Sequence, residues 1–225
     1  GVGQSEGNSE YESFADLAQD ALAGIDFLKI RKDLSLSKIG LGGSSQAGWI
    51  IAKAIDQSSN MVDFALTIGA AGSGISVVEQ NIYNTEISMK CSGLYSKSQI
   101  DNAIAQQRYF FDYLASQSNA KILDEFTSSI EKDTLIRDWL FPTSKQVDLT
   151  NRKQWFTALE VNFNPLTIWK NYNKPVLMIF SEFDDSTPAS EVKSKIDNLK
   201  SKNIQTIFLT NAQHIGIETN SVCKN

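Results

Sequence analysis

Residues 38–49 read KIGLGGSSQAGW, and this stretch decides how the rest of the chain is interpreted. Lys38 to Gly42 has the apolar character of a short strand, and apolar side chains after Trp49 recur at helical spacing. The residues between these two patterns are almost all small, so the chain has room to turn sharply. We predict a strand, a tight turn with a serine at its apex, and then a helix.

Two further elements are predicted on either side of this stretch. Residues 10–29 carry the apolar stripe of an amphipathic helix, and residues 62–68 are a second candidate for a buried strand.

Either Ser44 or Ser45 could lie at the apex of the turn, and steric crowding distinguishes the two. A strand-to-helix turn this sharp needs small residues two positions before and two positions after the apex. Ser45 has Gly43 and Ala47 at these positions, whereas Ser44 would have Gln46 at the second one. We therefore predict Ser45 at the apex. An ordinary glycine-rich turn without chemistry remains an open alternative, since short motifs also match by chance.

Two further groups of candidate residues follow predicted strands. Residues 175–180 are a continuous apolar run, followed shortly by Asp184 and Asp185. His214 is the only histidine of the chain and follows a strand predicted over residues 204–209. Ligands of open α/β sheets bind at the carboxyl ends of the strands, so these positions suit a site. Each also has an ordinary explanation, because aspartates cap helices and a single loop histidine is usually a surface residue.

The order of these residues along the chain is itself informative. Ser45, Asp184 and His214 occur as serine, aspartate and histidine, each after a predicted parallel strand. In a site of this kind the serine attacks an acyl carbon, the histidine takes its proton, and the aspartate orients the imidazole. We predict that the three residues form such a catalytic triad, which needs no metal or organic cofactor.

The chain resembles the α/β-hydrolase superfamily, in the branch of esterases, lysophospholipase-like enzymes and serine peptidases. The resemblance rests on residues 39–49, on residues 175–188 and on the segment around His214. The family spacing between the acid and a later proline selects Asp184 rather than Asp185. Independently of the resemblance, Thr187 followed by Pro188 predicts a helix start with Thr187 as its cap residue. We expect Asp185 to be exposed or to cap the same helix.

This sequence departs from the family pattern at two positions. Ser181 stands where the acid-bearing segment usually has glycine, and Ile215 stands where glycine commonly follows the histidine. Residues 1–7 resemble the turn after the family's fourth strand. The resemblance therefore implies that the first strands, and the loop that supplies one N–H of the oxyanion hole, are absent from this sequence. The backbone N–H of Gln46 is expected to supply the other.

The resemblance also implies an α/β-hydrolase-type parallel sheet, partial for lack of its N-terminal strands, with an inserted helical cap. We assign residues 1–75 and 169–225 to the core and residues 76–168 to the cap. The separation between Ser45 and Asp184 is about twice what one strand and its crossover helices need. The surplus has helical periodicity, and we predict one helix over residues 100–114 and one or two more over residues 121–136. Several aromatic residues could line an acyl or alcohol pocket, although ordinary packing between cap and core is the better explanation for any one of them: Trp139, Phe141, Trp155, Phe156, Phe163 and Trp169.

Composition excludes several other classes of protein. The 225 residues carry a formal net charge of −5 and no block of basic residues, which argues against a nucleic-acid partner. The apolar stretches are too short to span a bilayer, and one histidine with two cysteines does not make a structural zinc site. Cys91 and Cys223 could form one disulfide or remain thiols.

We therefore predict a serine hydrolase that cleaves a carboxylic ester and takes a small-molecule ester or a short peptide as substrate. Two alternatives remain open. One is a serine peptidase of the aminopeptidase type, and the other is a noncatalytic binding protein on a hydrolase scaffold.

Overall fold

The computed structural model describes residues 12–115 and 160–223, together with Gln4, Glu6 and Ser128. Helices and strands alternate along the described chain, as predicted. In chain order the elements are α1 (Phe14–Ile30), β1 (Leu41–Ser44), α2 (Ala47–Ser58), β2 (Ala65–Ile68), a 3-10 turn (Ala71–Ser73), α3 (Val77–Ser92), α4 (Lys97–Ala115), α5 (Leu166–Asn171), β3 (Val176–Ser181), α6 (Ala189–Asp197), β4 (Ile204–Leu209) and a second 3-10 turn (His214–Gly216).

The described strands form one parallel sheet in the order β1-β2-β3-β4. Ser44 lies opposite Ile68, which in turn lies opposite Ile179, while Ser181 at the end of β3 lies opposite Leu209. The carboxyl ends of all four strands therefore meet at one edge. The predicted parallel α/β sheet is confirmed, and its topology brings the segments after β1, β3 and β4 to the same edge.

The core forms where the sheet meets its flanking helices. Helix α1 buries one stripe, Phe14, Ala18, Leu22 and Ile25, as its helical periodicity predicts. Trp49 of α2 stacks on Phe14 with ring centroids 5.4 Å apart. Its indole N–H donates to a backbone carbonyl, so this large side chain is buried with its polar atom satisfied.

Strand β1 begins later than the predicted Lys38, at Leu41. The N–H of Ile39 donates to the Asp63 carboxylate, and the N–H of Asp63 donates to the carbonyl of Ile39. These bonds replace ladder pairing before Leu41, and for the same reason β2 is shorter than the predicted run over residues 62–68. A side chain competes here with the backbone for its hydrogen bonds, which the apolar pattern does not reveal.

The described part of residues 76–168 is mainly helical and contains no strand. Ser76 and Glu79 form a capping box at the start of α3, and Gly93 ends the helix with a φ of 66°. Helix α4 extends the helix predicted over residues 100–114 at both ends. The helices predicted over residues 121–136 lie outside the described residues. The boundaries of the cap therefore remain a prediction.

Two of the six candidate pocket aromatics lie among the described residues. Trp169 is fully buried in the core, and its indole N–H donates to the carbonyl of Gly72. Phe163 packs at the edge of the core, with the Lys53 ammonium 4.1 Å from its ring centroid. For Trp169 ordinary packing is therefore the correct interpretation. Among the helices of the described ranges, none is long and apolar enough to cross a membrane.

Candidate active site

Ser45 occupies a strained position between β1 and α2. Its φ is 54°, in the left-handed region that residues other than glycine rarely adopt. Its N–H donates to the carbonyl of Ile68 at 3.0 Å, and its carbonyl accepts from Gly48 at 3.2 Å. Ser44 is still part of β1. Strained backbone of this kind clusters at functional sites, so the observed turn motivates a functional hypothesis for Ser45.

The steric argument for the apex matches the geometry. A Cβ atom at Gly43 would lie 2.5 Å from the Cβ atom of Ala47, much closer than two carbon atoms can approach. Gly48 is equally confined, because its Cβ atom would lie 2.8 Å from that of Ala70. The turn therefore closes only because small residues flank Ser45 on both sides.

The backbone N–H of Gln46 lies directly before α2. It has no hydrogen-bond partner among the residues that the structure describes. The first N–H groups of a helix lie roughly parallel to its axis, point out of its N-terminal end and carry its partial positive charge. This N–H is therefore available to an anionic oxygen formed next to Ser45, and its role in an oxyanion hole stays a prediction.

Asp184 and His214 form a close pair. The Nδ1 atom of His214 lies 2.9 Å from Oδ1 and 3.0 Å from Oδ2 of Asp184. Asp184 is 2% exposed, and Oδ1 also accepts from the N–H groups of Ser186 and Thr187, at 2.8 and 2.7 Å. Three donors thus hold a buried carboxylate in one orientation, as buried charge requires.

Thr187 does not take the role expected of it, and Asp185 is less exposed than expected. The Thr187 hydroxyl donates to the carbonyl of Gly69 at 3.0 Å, and α6 starts after Pro188 without a side-chain cap. The expectation of a Thr187 cap was therefore wrong, because the hydroxyl has a tertiary partner. Asp185 is half-buried and accepts from the Ser186 hydroxyl at 3.1 Å, so it is less exposed than expected.

Gly69, at the end of β2, is a site residue that sequence reasoning missed. Its φ is 55°, and a Cβ atom there would lie 3.1 Å from Nδ1 of His214 and 3.3 Å from Oδ2 of Asp184. The carbonyl of Ile68, which holds the N–H of Ser45, belongs to the peptide that joins Ile68 to Gly69. Gly69 therefore lies between the serine turn and the Asp–His pair. A glycine directly after a buried strand was the available signal.

Tyr83 of α3 was also missed. Its hydroxyl donates to the main-chain carbonyl of Asp184 at 2.7 Å. Burial, together with the nearby charges of Asp184, Asp185 and Glu86, raises the pKa of Tyr83 to about 12. The phenol is therefore neutral and able to donate this bond at any physiological pH. Its position in a polar helical segment carried no recognisable motif.

The structure thus brings Asp184 and His214 into contact and places Ser45 at the same edge of the sheet. Ser45 and His214 make no direct hydrogen bond with each other. Catalytic hydrogen bonds are often long without substrate and shorten in the reacting complex. No group of three potential metal ligands occurs among the described histidine, cysteine, aspartate and glutamate residues.

Comparison with known proteins identifies the fold. No family model matches the chain, and no curated protein matches it. Among solved structures it is similar to Est1E from Butyrivibrio proteoclasticus, bound to ferulic acid, with 12% identity and a TM-score of 0.54. It is also similar to a thermophilic esterase from Thermogutta terrifontis, with 13% identity and a TM-score of 0.51. A third neighbour is BpoC from Mycobacterium tuberculosis H37Rv, named as a non-heme bromoperoxidase, with 17% identity and a TM-score of 0.50.

These likenesses cover nearly all of this chain but only part of each neighbour. The matches cover 95%, 96% and 93% of the chain, and 66%, 70% and 69% of the three neighbours. The chain has the α/β-hydrolase fold, with a partial parallel sheet. The resemblance to the superfamily is confirmed at the level of the fold. The roles of the individual site residues are argued below as proposals.

Proposed function

We propose that this chain is a serine hydrolase that cleaves carboxylic esters, with Ser45 as nucleophile, His214 as base and Asp184 as the orienting acid. The observation that supports it most directly is the Asp184–His214 pair at the sheet edge where Ser45 occupies its strained turn. The esterases among the structural neighbours, which share the fold, agree with this proposal.

The contact between Asp184 and His214 supports one tautomer of the imidazole. Because Nδ1 of His214 faces the carboxylate of Asp184, the proton lies on Nδ1 and the lone pair lies on Nε2. The Nε2 atom then takes the proton of the Ser45 hydroxyl as its oxygen attacks the ester carbonyl. The buried carboxylate stabilises the imidazolium that forms, and this interaction strengthens during the reaction.

The remaining steps use groups already described. The tetrahedral intermediate places its oxyanion near the N–H of Gln46, and one such donor contributes a factor of about 10²–10³ in rate. His214 then returns its proton to the leaving alcohol, which leaves Ser45 acylated. Water, deprotonated by His214, hydrolyses the acyl-enzyme and restores the serine.

The experiment that tests this proposal combines a fluorophosphonate probe with a p-nitrophenyl ester. The unmodified protein should be labelled at Ser45 and should release p-nitrophenol. Ser45→Ala should lose both signals, whereas Ser44→Ala should keep them, because Ser44 belongs to β1. Asp184→Asn should lower kcat by several orders of magnitude, and Asp185→Asn should leave kcat within a few-fold of the parent value.

Other outcomes select other functions. Probe adducts on Ser44 would overturn the assignment of the nucleophile. Labelling of Ser45 with hydrolysis of short peptides but not of esters would point to a serine peptidase. Neither labelling nor turnover in a folded protein would favour a binding protein on this scaffold.

A further inference from the structure

We propose that α3 is a brace that holds the acid loop and the histidine loop at a constant separation, with Tyr83 and the Cys91–Cys223 disulfide as its two attachments. The acid loop is residues 182–187, and the histidine loop is residues 210–223. The expected effect of the brace on catalysis rests on the proposed triad. The contacts that form the brace do not depend on that proposal.

The first attachment is to the acid itself. The Tyr83 hydroxyl bonds the main-chain carbonyl of Asp184, the same residue whose carboxylate faces His214. The amides of Ser186 and Thr187 orient the Asp184 carboxylate from within the acid loop. The bond from Tyr83 is different, because it ties the main chain of the acid to a separate helix.

The second attachment is to the far end of the histidine loop. His214 lies at the tip of this loop, whose two arms pair through an antiparallel bridge between Ala212 and Glu218. The N–H of Gln213 donates to the carbonyl of Ile217 at 2.6 Å, which closes the loop around His214. The first arm continues from β4. The second arm continues to Cys223, which is bonded to Cys91 in the last turn of α3.

Helix α3 is itself well fixed. Glu79, one turn before Tyr83, bonds Lys195 of α6 at 2.9 Å as well as the hydroxyl of Ser76 in the capping box. Burial would raise the pKa of Glu79, but the hydrogen bonds from Lys195 and Ser76 hold that pKa below its ordinary value. The Glu79 carboxylate that pairs with Lys195 is therefore ionised at neutral pH. Near the other end, Met89 is fully buried against α4.

The two attachments act on opposite members of one hydrogen bond. One holds the residue that carries the carboxylate, and the other holds the loop that carries the imidazole. The two loops also bond each other near β4, where the N–H of Phe183 donates to the carbonyl of Ala212 at 2.8 Å and the N–H of Asn211 donates to the Glu182 carboxylate at 3.0 Å. The brace adds attachments at Asp184 itself and at the far end of the histidine loop. A displacement of about 1 Å between reacting groups can cost about 10² in rate. Loosening the brace should therefore lower kcat by up to about that factor while KM changes little, because substrate binding is not directly affected.

The test uses two ways of loosening the brace and two matched controls. The double variant C91S/C223S removes the covalent attachment without leaving a free thiol. Tyr83→Phe removes only the hydroxyl of the other attachment and keeps its ring. Tyr172→Phe is its control, because the Tyr172 hydroxyl also donates to a main-chain carbonyl at 2.7 Å, but to Val62 before β2. Lys90→Ala changes an exposed residue of α3 beside Cys91.

Two measurements are made on every variant. The first is kcat and KM for the p-nitrophenyl ester. The second is the downfield proton resonance of the His214 Nδ1–H, which reports the Asp–His hydrogen bond directly. Because the chain has one histidine, this resonance needs no assignment. It can also be read in a protein that hydrolyses nothing.

We expect C91S/C223S and Tyr83→Phe to lower kcat and to broaden or remove the resonance, with KM nearly unchanged. Both controls should match the unmodified protein. A folded C91S/C223S variant and a Tyr83→Phe variant that both keep kcat and the resonance would overturn the brace. If the double variant does not fold, Tyr83→Phe against Tyr172→Phe decides alone. An unmodified protein without esterase activity would refute the proposed function, while the resonance would still test the brace.

Discussion

Ile215, directly after His214, carries an unusual backbone conformation for its residue type. Its φ is 59°, a value that a β-branched side chain adopts only with strain, and its side chain is 49% exposed. Glycine is common at this position in the superfamily that the sequence resembles. The pairing of the two loop arms imposes the conformation, and the isoleucine accommodates it at a cost of about 1–2 kcal/mol.

We predict that Ile215→Asn stabilises the protein, because asparagine tolerates the left-handed region far better than isoleucine. The free energy of unfolding should rise by about 1 kcal/mol relative to the control variant Ile217→Asn. Ile217 is 59% exposed and has a φ of −70°, so asparagine relieves no strain there. Urea denaturation measures both variants. Equal effects at the two positions would refute strain at Ile215.

Gly69 permits the close approach of β2 to the Asp–His pair. We predict that Gly69→Ala lowers kcat at least tenfold, because the new methyl group would lie 3.1 Å from Nδ1 of His214 and displace the ring. Gly93→Ala is the control: its φ of 66° imposes the same backbone strain, but no atom lies within 4 Å of the added Cβ. Both variants should lose about 1–2 kcal/mol of stability from strain alone. Ester hydrolysis distinguishes them, and equal kcat values would show that Gly69 matters only for its backbone.

At the scale of the element, a substitution in α1 should raise the stability of the protein. Gly24 lies in the exposed middle of this helix, and a Cβ atom there would meet nothing within 4 Å. We predict that Gly24→Ala raises the free energy of unfolding by about 0.5–1 kcal/mol, because alanine loses less backbone entropy in a helix. Ala23→Gly, at the exposed neighbouring position, should lower it by a similar amount. Thermal unfolding checks both, and shifts of the same sign would contradict the argument.

At the scale of the whole molecule, the Cys91–Cys223 disulfide closes a long covalent loop. The two cysteines are 132 residues apart, and the loop between them contains Asp184 and His214. We predict that C91S/C223S lowers the free energy of unfolding by about 2–4 kcal/mol, since the unfolded chain regains the freedom of this loop. Urea denaturation measures the loss, and a change below that of Lys90→Ala would contradict it.

The same bond predicts a redox state. Disulfides persist in oxidising compartments and are rare where thiols are kept reduced. The purified, unfolded protein should therefore bind no thiol reagent before reduction and two equivalents afterwards, because the described cysteines are both bonded. Mass spectrometry of the alkylated protein counts the added groups. Two equivalents without reductant would show that the bond does not form.

Local pattern in the sequence determined the parallel sheet and the position of the serine turn. The periodicity of α1, the apolar run of β3 and the small residues on both sides of Ser45 each act over a few neighbouring residues, so they can be recognised without knowing the fold. The shared location of Ser45, Asp184 and His214 could be predicted, because each follows a strand and parallel strands bring their carboxyl ends to one edge of the sheet.

The tertiary structure alone decided which distant residues surround the site. Gly69, Tyr83 and the Cys91–Cys223 disulfide contact the Asp–His pair or its loops across long separations in sequence, where no local pattern records the partner. The hydroxyl of Thr187 is a further example, because it bonds a carbonyl 118 residues away instead of capping the helix that follows it. Local propensities are weak, and a single buried hydrogen bond or close packing contact is strong enough to override them.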